Sequence, residues 1–219
     1  MVLLLMDFTT RQLEIIEAAL LLTASGGLSN LTTRHLSSAL GITEPALYRH
    51  FRNKSEIVKA MIHSFEHRST QVFGEILSLS LHGLDAVEFF VKDRFRLVVA
   101  QPALARVLFS EEQFIDEPEY AHLLLAMMHS HRNHLSRMLS EAQASGALRR
   151  DISGDMLFRL ILGPVRLIIK QWALSNQAFD LLKSGEQLWC DLRLLLQDEK
   201  KYKKPQQEAS VRASNIDKQ

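Results

Sequence analysis

The sequence predicts an all-α protein of about nine helices, and three features of its composition support that fold class. Leucine occurs 37 times in the 219 residues, whereas the β-branched residues isoleucine and valine together occur 22 times. Glycine and proline, which most often interrupt regular structure, number nine and five. Hydrophobic residues make up 47% of the chain and charged residues 23%, which excludes bulk disorder. Long helices joined by short connections are therefore expected.

Apolar residues at helical spacing, with turn residues between them, predict where the individual helices lie. Three short helices are expected over 11–25, 32–40 and 44–51. Gly26 and Gly41 end the first two, and Pro45 fits the third because a first helical turn needs no amide donors. Six further helices are expected over 54–81, 84–101, 102–110, 118–145, 152–175 and 179–196. Pro164 leaves open whether 152–175 is one kinked helix or two helices.

The chain divides into an N-terminal unit over 8–55, a larger helical bundle over 56–196 and a polar tail over 197–219. The tail carries six basic and four acidic residues and is expected to be flexible. The whole chain has a net charge of +1, but residues 32–68 hold six basic and three acidic side chains. A modestly basic unit on an acidic body indicates that the N-terminal unit faces nucleic acid.

The cysteine count and the hydropathy pattern predict a cytoplasmic protein. The single Cys190 allows neither an internal disulfide nor a cysteine metal cluster, which favours a reducing compartment. The longest uncharged stretch spans 16 residues, fewer than the roughly 20 apolar residues that a membrane-spanning helix needs. No membrane partner and no cofactor are therefore expected.

The second and third predicted helices have the spacing of a helix-turn-helix. Leu36 and Leu40 lie before a turn at Gly41. Leu47 and Phe51 lie after it, so the two helices can share a small apolar core. Gly41 supplies the positive φ that a tight turn between helices needs. In a helix-turn-helix the second helix enters the DNA major groove, although any tight helical pair with a glycine turn has this spacing.

Three short stretches around this turn form a more specific motif. They are Leu-Thr-Thr-Arg at 31–34, Leu-Gly-Ile-Thr-Glu-Pro-Ala-Leu-Tyr-Arg-His-Phe at 40–51 and Asn-Lys at 53–54. The motif closely resembles the N-terminal domain of the TetR family of bacterial transcriptional regulators. The resemblance extends from Arg11 to about His63, and the remainder of the chain agrees in helix count and length.

Two positions depart from the family's pattern. His35 lies where an acidic capping partner for Thr32 is usual, which weakens the expected helix cap. Pro45 and Ala46 replace the common Gly-Thr pair. That replacement removes a hydroxyl and changes which bases the recognition helix can contact.

The resemblance implies phosphate contacts from six residues, namely Thr32, Thr33, Thr43, Tyr48, His50 and Lys54. The threonines lie at helix N-termini, where hydroxyls, free amides and the helix dipole together favour a phosphate. Contacts of this kind hold the register of the protein on DNA but read no sequence. Alternatively, Thr32 and Thr43 serve only as helix caps.

Four residues of the recognition helix complete the candidate DNA-binding site, namely Glu44, Pro45, Ala46 and Arg49. A glutamate can accept a hydrogen bond from N4 of cytosine, an alanine can contact the thymine methyl group, and an arginine can reach guanine. Glu44, Ala46 and Arg49 are therefore the candidate base readers. Alternatively, Glu44 and Arg49 are solvated charges without a role in recognition.

The larger C-terminal part shows no signature of catalysis, so the protein is not expected to be an enzyme. Residues from about 69 to 196 lack a glycine-rich phosphate loop, a His-Glu-x-x-His motif and a serine nucleophile motif. The family resemblance implies that this domain binds a small-molecule effector and forms a homodimer through its last two helices. The protein is thus expected to be a ligand-responsive repressor that binds a palindromic operator in double-stranded DNA.

Two other functions remain open at this point. One is a nucleoid-associated or division-control DNA-binding dimer that signals to a protein partner without a small-molecule effector. The other is an α-helical enzyme or ligand carrier with a vestigial N-terminal unit, although no nucleophile and base pair is visible.

Bulky side chains on the predicted helices of the body are candidates for the effector pocket, namely Phe65, Phe90, Phe109, Phe114, Met128, Phe158 and Trp172. The same residue types at helical spacing are also typical of an ordinary core. Arg159 and Arg166 lie seven residues apart on an otherwise apolar helix. A buried cation needs a partner, either a carboxylate of the ligand or an acidic residue of a neighbouring helix or subunit.

Four histidines of one predicted helix resemble metal ligands, namely His122, His129, His131 and His134. Two pairs among them share a helix face, but the pairs point in different directions, and no cysteine lies nearby. A metal site is therefore not expected.

The last predicted helix carries apolar residues on more than one side. One stripe consists of Leu181, Leu188, Leu192 and Leu195, and a second of Leu182, Trp189 and Leu196. A helix that is apolar over so much of its circumference needs cover on more than one side. A partner subunit is the simplest cover for one stripe, and complete burial within one subunit is the alternative.

Overall fold

The structure of the protein is a computed structural model, which describes residues 8–108, 114 and 116–197. Within these residues it contains nine α-helices and no β-strand, so the all-α prediction is confirmed. They are α1 (Thr10–Asn30), α2 (Thr33–Leu40), α3 (Glu44–Leu47), α4 (Lys54–Ser78), α5 (Gly83–Ala100), α6 (Pro102–Leu108), α7 (Pro118–Ala144), α8 (Gly154–Leu174) and α9 (Leu181–Leu196). Among them, none is both long and apolar enough to cross a lipid bilayer. The predicted pocket residue Phe109 and the predicted tail beyond Gln197 lie outside the described residues.

Helix α1 is longer than predicted at both ends, although its break lies at the predicted glycine. Thr9 caps the helix, since its Oγ1 accepts a hydrogen bond from the Gln12 backbone N–H at 3.3 Å. Oε1 of Gln12 accepts in return from the Thr9 N–H at 3.0 Å, which completes a capping box. The backbone leaves helical geometry at Gly26 and Gly27, and a last helical turn continues to Asn30.

The third helix is shorter than predicted, and the fourth begins where predicted. The α-helical bonds of α3 end at Leu47, after which the chain continues in turns, with the His50 N–H donating to the Leu47 carbonyl at 3.0 Å. Oδ1 of Asn53 accepts from the Glu56 N–H at 2.9 Å and caps α4. The Glu56 carboxylate accepts from the N–H of Arg52 at 2.8 Å, one residue before the N-cap residue Asn53.

Helix α8 includes Pro164, which settles the question that the sequence left open. The helix is assigned without interruption from Gly154 to Leu174. Proline has no N–H, so the carbonyl of Leu160 receives no helical bond from it. Val165 next to it is buried in the core. The segment is therefore one helix with a proline inside it.

Helix α5 lies at the centre of the body and packs against α4, α6, α7, α8 and α9. Its Phe90 and Phe95 are among the largest fully buried side chains. At the other end of the molecule α1 packs against α2, α4 and α6. The buried residues form one cluster that extends from Ile15 in α1 to Leu196 in α9. Helix α4 thus belongs both to the N-terminal unit and to the body.

Gly185 allows α9 to approach α5 closely. A Cβ atom at this position would lie 2.6 Å from Cδ2 and Cε2 of Phe95. Because Phe95 is itself buried, it has no room to move away. The contact between α5 and α9 therefore depends on the absence of a side chain at Gly185.

We predict that Gly185→Ala lowers the free energy of unfolding by about 1–3 kcal/mol, because the methyl group overpacks the core. The matched control is Gly74→Ala, since a Cβ at Gly74 meets nothing within 4 Å. Gly74 lies inside α4, so its replacement is expected to raise stability by about 0.5–1 kcal/mol. Urea unfolding of both variants measures the difference. Equal stabilities of the two variants would contradict the close approach.

Candidate functional site

The predicted helix-turn-helix is present, with Gly41 at its turn. Gly41 has φ 64° and ψ 33°, in the left-handed region that glycine adopts without strain. The Ile42 N–H donates to the carbonyl of Ser37 at 3.0 Å and closes the end of α2. Leu36 and Leu47 are fully buried. The helices α2 and α3 thus share the small apolar core that the spacing predicts.

Two threonine hydroxyls cap the helices of this unit. Oγ1 of Thr32 accepts from the His35 N–H at 3.1 Å, and Oγ1 of Thr43 accepts from the Ala46 N–H at 3.4 Å. Nδ1 of His35 lies 2.9 Å from the carbonyl of Asn30, where the family pattern has an acidic capping partner. Each threonine uses an oxygen lone pair for the cap, so its O–H hydrogen remains available to a phosphate. Capping and phosphate contact are therefore compatible.

Thr33 and Glu44 form a hydrogen bond that the sequence analysis did not predict. The Thr33 hydroxyl donates to Oε2 of Glu44 at 2.8 Å on the exposed surface of the unit. The bond connects the N-terminus of α2 with that of α3 and orients the carboxylate. Spacing could not predict it, because the two residues are eleven apart and on different helices.

Most of the candidate DNA contacts on and after α3 are exposed, namely Glu44, Pro45, Tyr48 and Arg49. One of them is aromatic, since the Tyr48 side chain is 46% exposed. Ala46 and His50 are half-buried. The carbonyl of His50 accepts from Nε2 of Gln12 at 3.3 Å, which connects the end of the unit to α1. The side chains on this surface are therefore open to a ligand, and the backbone that follows α3 is held in place by its hydrogen bond to α1.

Lys54 makes an intramolecular contact besides its predicted role toward phosphate. Its Nζ donates to the carbonyl of Leu28 at 2.7 Å, so the first residue of α4 is bonded to the last turn of α1. An ammonium group has three donors, and this contact uses one of them. The side chain therefore orders the junction between α1 and α4 in the absence of DNA.

The body contains a cavity of about 100 Å³ between α4, α5, α7 and α8. Four of the predicted pocket residues line it, namely Phe65, Phe90, Met128 and Arg166. Trp172 and Phe114 are instead buried in the core, and Phe158 packs half-buried against it. Ser69 and Arg94, which no sequence pattern predicts as pocket residues, also line the cavity. Polar residues on mostly apolar helices carry no periodic signal that would separate them from surface residues.

Arg94 is the main charged group of the cavity wall, and its side chain is 15% exposed. Its Nη1 donates to Oγ of Ser69 at 2.9 Å, and its Nη2 contacts the carboxylate of Asp93. The guanidinium carbon lies 4.8 Å from the ring centroid of Phe90. Burial lowers the pKa of Arg94, and the negative charge of Asp93 opposes this shift. Nε is buried and has no hydrogen-bond partner among the described residues.

His131 lies next to Arg94 in the same wall. The ring centroids of Phe73 and Phe90 lie 6.1 and 5.9 Å from that of His131, both edge-on. Burial, together with the positive charge of Arg94, lowers the pKa of His131 to about 4, so the ring is neutral at neutral pH. Nε2 of His131 is buried and has no hydrogen-bond partner in the described part of the chain.

The two arginines of α8 lie in different surroundings. Arg166 is half-buried and lines the cavity. Arg159 is exposed, and its Nη1 donates to the carbonyl of Asp155 at 3.0 Å. The expectation of a buried cation on this helix therefore concerns Arg166 and not the exposed Arg159.

The four histidines of α7 do not come together. His131 lines the cavity, His134 stacks on Phe73 at 4.2 Å, and His122 and His129 are exposed. In the described ranges, no three histidine, cysteine or acidic side chains lie close enough together to hold a metal ion.

A wider cleft of about 510 Å³ separates the N-terminal unit from the body. Leu13 and Ile16 of α1 line one side of it, and Leu104 of α6 lines the other. Phe65 and Leu97 line both this cleft and the smaller cavity. These two side chains thus connect the wall of the cavity to the surface against which α1 lies.

The predicted stripes on α9 do not match its exposed face. Leu181, Trp189 and Leu192 are buried within the chain, and Leu188 is half-buried against the same core. The leucines that face solvent are Leu182, Leu194 and Leu195. Each predicted stripe therefore mixes buried and exposed residues, because packing against α5 and α8 covers parts of both.

Comparisons with known proteins agree on one family. The family model described as "Bacterial regulatory proteins, tetR family" matches residues 15–61. A second model, "YsiA-like protein, C-terminal region", matches residues 78–197. The chain is 26% identical over 200 residues to the "Probable acrEF/envCD operon repressor" of Escherichia coli (strain K12). The matched region covers 87% of this chain and 88% of the relative.

Two further similarities bear on the fold and on the alternatives. The chain is 21% identical over 183 residues to the nucleoid occlusion factor SlmA of Vibrio vulnificus (strain YJ016), across 83% of this chain and 93% of SlmA. Its structure is similar to that of the transcriptional regulator FadR from Bacillus subtilis in complex with stearoyl-CoA, with a TM-score of 0.71 and 18% identity. That likeness covers 82% of this chain and 96% of FadR.

We predict that the neutral His131, which is half-buried and whose Nε2 is buried, makes the protein less stable in acid. Its pKa is about 4 in the folded chain against 6.5 as the ordinary value. The unfolded chain therefore binds the proton first, and stability decreases as the pH falls from 6.5 toward 4, by about 3 kcal/mol from this group. Urea unfolding at pH 7.5 and at pH 4 measures this loss. The free energy of unfolding of His131→Phe is expected to decrease between these pH values by about 3 kcal/mol less than that of the wild type.

The matched control for this experiment is His129→Phe, which changes an exposed histidine of the same helix. This variant is expected to keep the wild-type pH dependence of stability, because the side chain that it replaces is exposed to solvent. An unchanged pH dependence in His131→Phe would contradict the burial of a neutral ring.

Proposed function

The chain belongs to the TetR family of bacterial regulatory proteins, which are DNA-binding transcriptional regulators, and on this basis we propose that it is a ligand-responsive repressor. Two copies of the chain bind a palindromic operator in double-stranded DNA, each through its helix-turn-helix. The proposed place of action is the cytoplasm. The observation that carries the proposal is the exposed face of α3. The left-handed turn at Gly41 positions α3 next to α2 and leaves this face open to solvent.

The chemistry of that face suits DNA in two ways. The N-termini of α2 and α3 carry free backbone amides and the capping hydroxyls of Thr32 and Thr43, which suit phosphate oxygens. On the same unit the exposed Glu44 and Arg49 can meet base edges in the major groove. The hydrogen bond from Thr33 holds the Glu44 carboxylate before DNA arrives. Preorganisation of this kind lowers the entropy cost of base recognition.

An exposed apolar face on α8 supports the homodimer. Its members are Met156, Leu160, Leu167 and Leu174. They recur at intervals of four and seven residues, so they share one face of the helix. Leu167 is 58% exposed and Leu174 is 75% exposed, which is unusual for consecutive members of one stripe. The proposed interface combines this face with the exposed Leu182 and Leu195 of α9.

The body is proposed to respond to a small apolar molecule. The FadR structure similar to this chain is described as a complex with stearoyl-CoA, which supports ligand binding by the body. The cavity of about 100 Å³ is smaller than the roughly 300–1,000 Å³ of typical ligand sites, so an effector of that size must widen it. Widening moves α4, whose first turn is bonded to α1 through Lys54. The two recognition helices then no longer match half-sites about 34 Å apart.

The alternative of a division-control protein gains no support from the comparisons. The sequence identity to SlmA is 21%, which is below the 26% identity to the operon repressor of Escherichia coli. No catalytic role is part of the proposal.

We predict that Tyr48→Phe weakens binding to all DNA sequences by about tenfold, since the phenol loses one hydrogen bond to a charged phosphate. The matched control is Tyr120→Phe, because Tyr120 is buried in the body. Fluorescence anisotropy with a duplex from the protein's own upstream region measures both affinities at one salt concentration. Equal affinities of the two variants would remove Tyr48 from the DNA contacts.

We predict that Leu167→Arg converts the dimer to a monomer, since a charge on the apolar α8 face must be desolvated at the interface. Operator affinity is then expected to decrease by about tenfold or more, because two half-sites no longer bind together. The matched control is Leu77→Arg, a leucine of α4 that is 63% exposed. Light scattering after size-exclusion chromatography gives the masses. A dimeric Leu167→Arg variant would exclude α8 from the interface.

A further inference from the structure

The cavity of the body contains two buried nitrogen atoms whose hydrogen-bonding capacity is unused. They are Nε of Arg94 and Nε2 of His131, and neither has a partner among the described residues. Folded proteins leave few buried polar atoms in this state, because each costs the free energy of removing it from water. Both residues line the same cavity, Arg94 from α5 and His131 from α7. A shared missing partner accounts for both atoms at once.

The remaining wall of the cavity defines the charge of that partner. Among the described residues that line the cavity, all except Ser69, Arg94, His131 and Arg166 are apolar, and none is acidic. Arg94 is positively charged, and Asp93 compensates it only from outside the lining. His131 is neutral at neutral pH and donates from Nε2 in the tautomer that carries its proton there. The described part of the lining thus offers hydrogen-bond donors and positive charge without a negative group.

The position of the cavity allows a ligand to enter. Met128 lines it and is 40% exposed, and Arg166 beside it is half-buried. The cavity therefore reaches the surface between α7 and α8, whereas Arg94 and His131 lie in its buried part. A ligand with a charged group at one end can place that end inward and leave its apolar part between Phe65 and Leu124.

We propose that the cavity binds the carboxylate head group of a small apolar molecule, with Nε of Arg94 and Nε2 of His131 as its donors. This inference rests on the proposed function, since it names the chemical class of the effector. The carboxylate group alone is smaller than benzene, which an apolar cavity of about 150 Å³ accommodates, so this head group fits a cavity of about 100 Å³. Charge-assisted hydrogen bonds from arginine to carboxylate are also among the strongest that proteins form.

The bound head group acts directly on α4. Nη1 of Arg94 donates to Oγ of Ser69 at 2.9 Å, and Ser69 belongs to α4. A carboxylate accepts hydrogen bonds more strongly than a hydroxyl, so it competes with Ser69 for the guanidinium donors. Loss of this bond releases α4 from α5 at its middle. The same helix begins at Lys54 beside the helix-turn-helix, so the chemistry of the head group reaches the DNA-binding unit.

The test compares matched ligands that differ only in the head group. The probes are straight-chain carboxylates of roughly three to eight carbons, with the primary alcohol, methyl ester and alkyl phosphate of equal length. Isothermal titration calorimetry at pH 7 on the full chain gives the affinities. At the best chain length the carboxylate is expected to bind about tenfold or more tightly than the alcohol and the ester, as one charge-assisted bond implies.

Variants assign the selectivity to the two residues. His131→Phe keeps a ring of similar size against Phe73 and Phe90 but removes Nε2, and Arg94→Gln removes the charge. Each is expected to reduce the ratio of carboxylate to alcohol affinity by about tenfold, with little change in alcohol affinity. Arg96→Gln is the matched control, since Arg96 is exposed on the same helix. If Arg94→Gln does not fold, wild-type selectivity and His131→Phe decide the question.

Several results would overturn the inference. They are equal binding of carboxylate and ester, stronger binding of the alkyl phosphate, no carboxylate binding at any length, and unchanged selectivity in His131→Phe. Fluorescence anisotropy measures the operator binding of the same preparations. It distinguishes a failure of the head-group inference from a failure of the proposed function. A protein that binds operator DNA but does not prefer carboxylates would retain its proposed function and lose the proposed head-group site. A protein without affinity for DNA would contradict the proposed function itself.

Discussion

Helix α4 is shared by the two functional parts of the molecule, and the other elements are arranged around that constraint. Its first residue, Lys54, bonds to the carbonyl of Leu28 at the end of α1, and its cap at Asn53 directly follows the helix-turn-helix. Near its middle, Ser69 accepts from Arg94 of α5 at the cavity wall. Because α4 is one continuous helix from Lys54 to Ser78, it connects the cavity wall directly to the DNA-binding unit. No separate signalling element is required, because one helix holds both sites.

The two sites along α4, the helix-turn-helix and the cavity, differ in how far their polar groups are satisfied. In the helix-turn-helix, the threonine hydroxyls cap helices and Thr33 donates to Glu44, so the unit is ordered before it meets DNA. In the cavity, Nε of Arg94 and Nε2 of His131 lack partners within the described residues. Preorganised donors suit a site that must bind one fixed partner, whereas unused donors suit a site whose partner comes and goes. This difference is consistent with a stable DNA contact and a switchable body.

The sequence predicted the local features well because their causes are local. Gly41 has the left-handed backbone that a tight turn needs, and the helix break lies at Gly26 as expected. The cavity polar groups were largely missed, because the burial of Arg94 and His131 depends on four helices that meet from distant parts of the chain. The exposed face of α8 was missed for the same reason. Leucines on α8 and α9 look alike in sequence, and only packing against α5 decides which of them remain exposed.

Selection of bound duplexes from random DNA by the purified full chain tests the central claim most directly. The account predicts enrichment of an inverted repeat whose half-sites lie about 34 Å apart, one helical turn, or a multiple of that distance. It also predicts that Glu44→Ala changes the preferred bases within each half-site, since the exposed Glu44 carboxylate lies on α3. Enrichment of no sequence, or of a single half-site without a repeat, would contradict a dimeric operator-binding regulator.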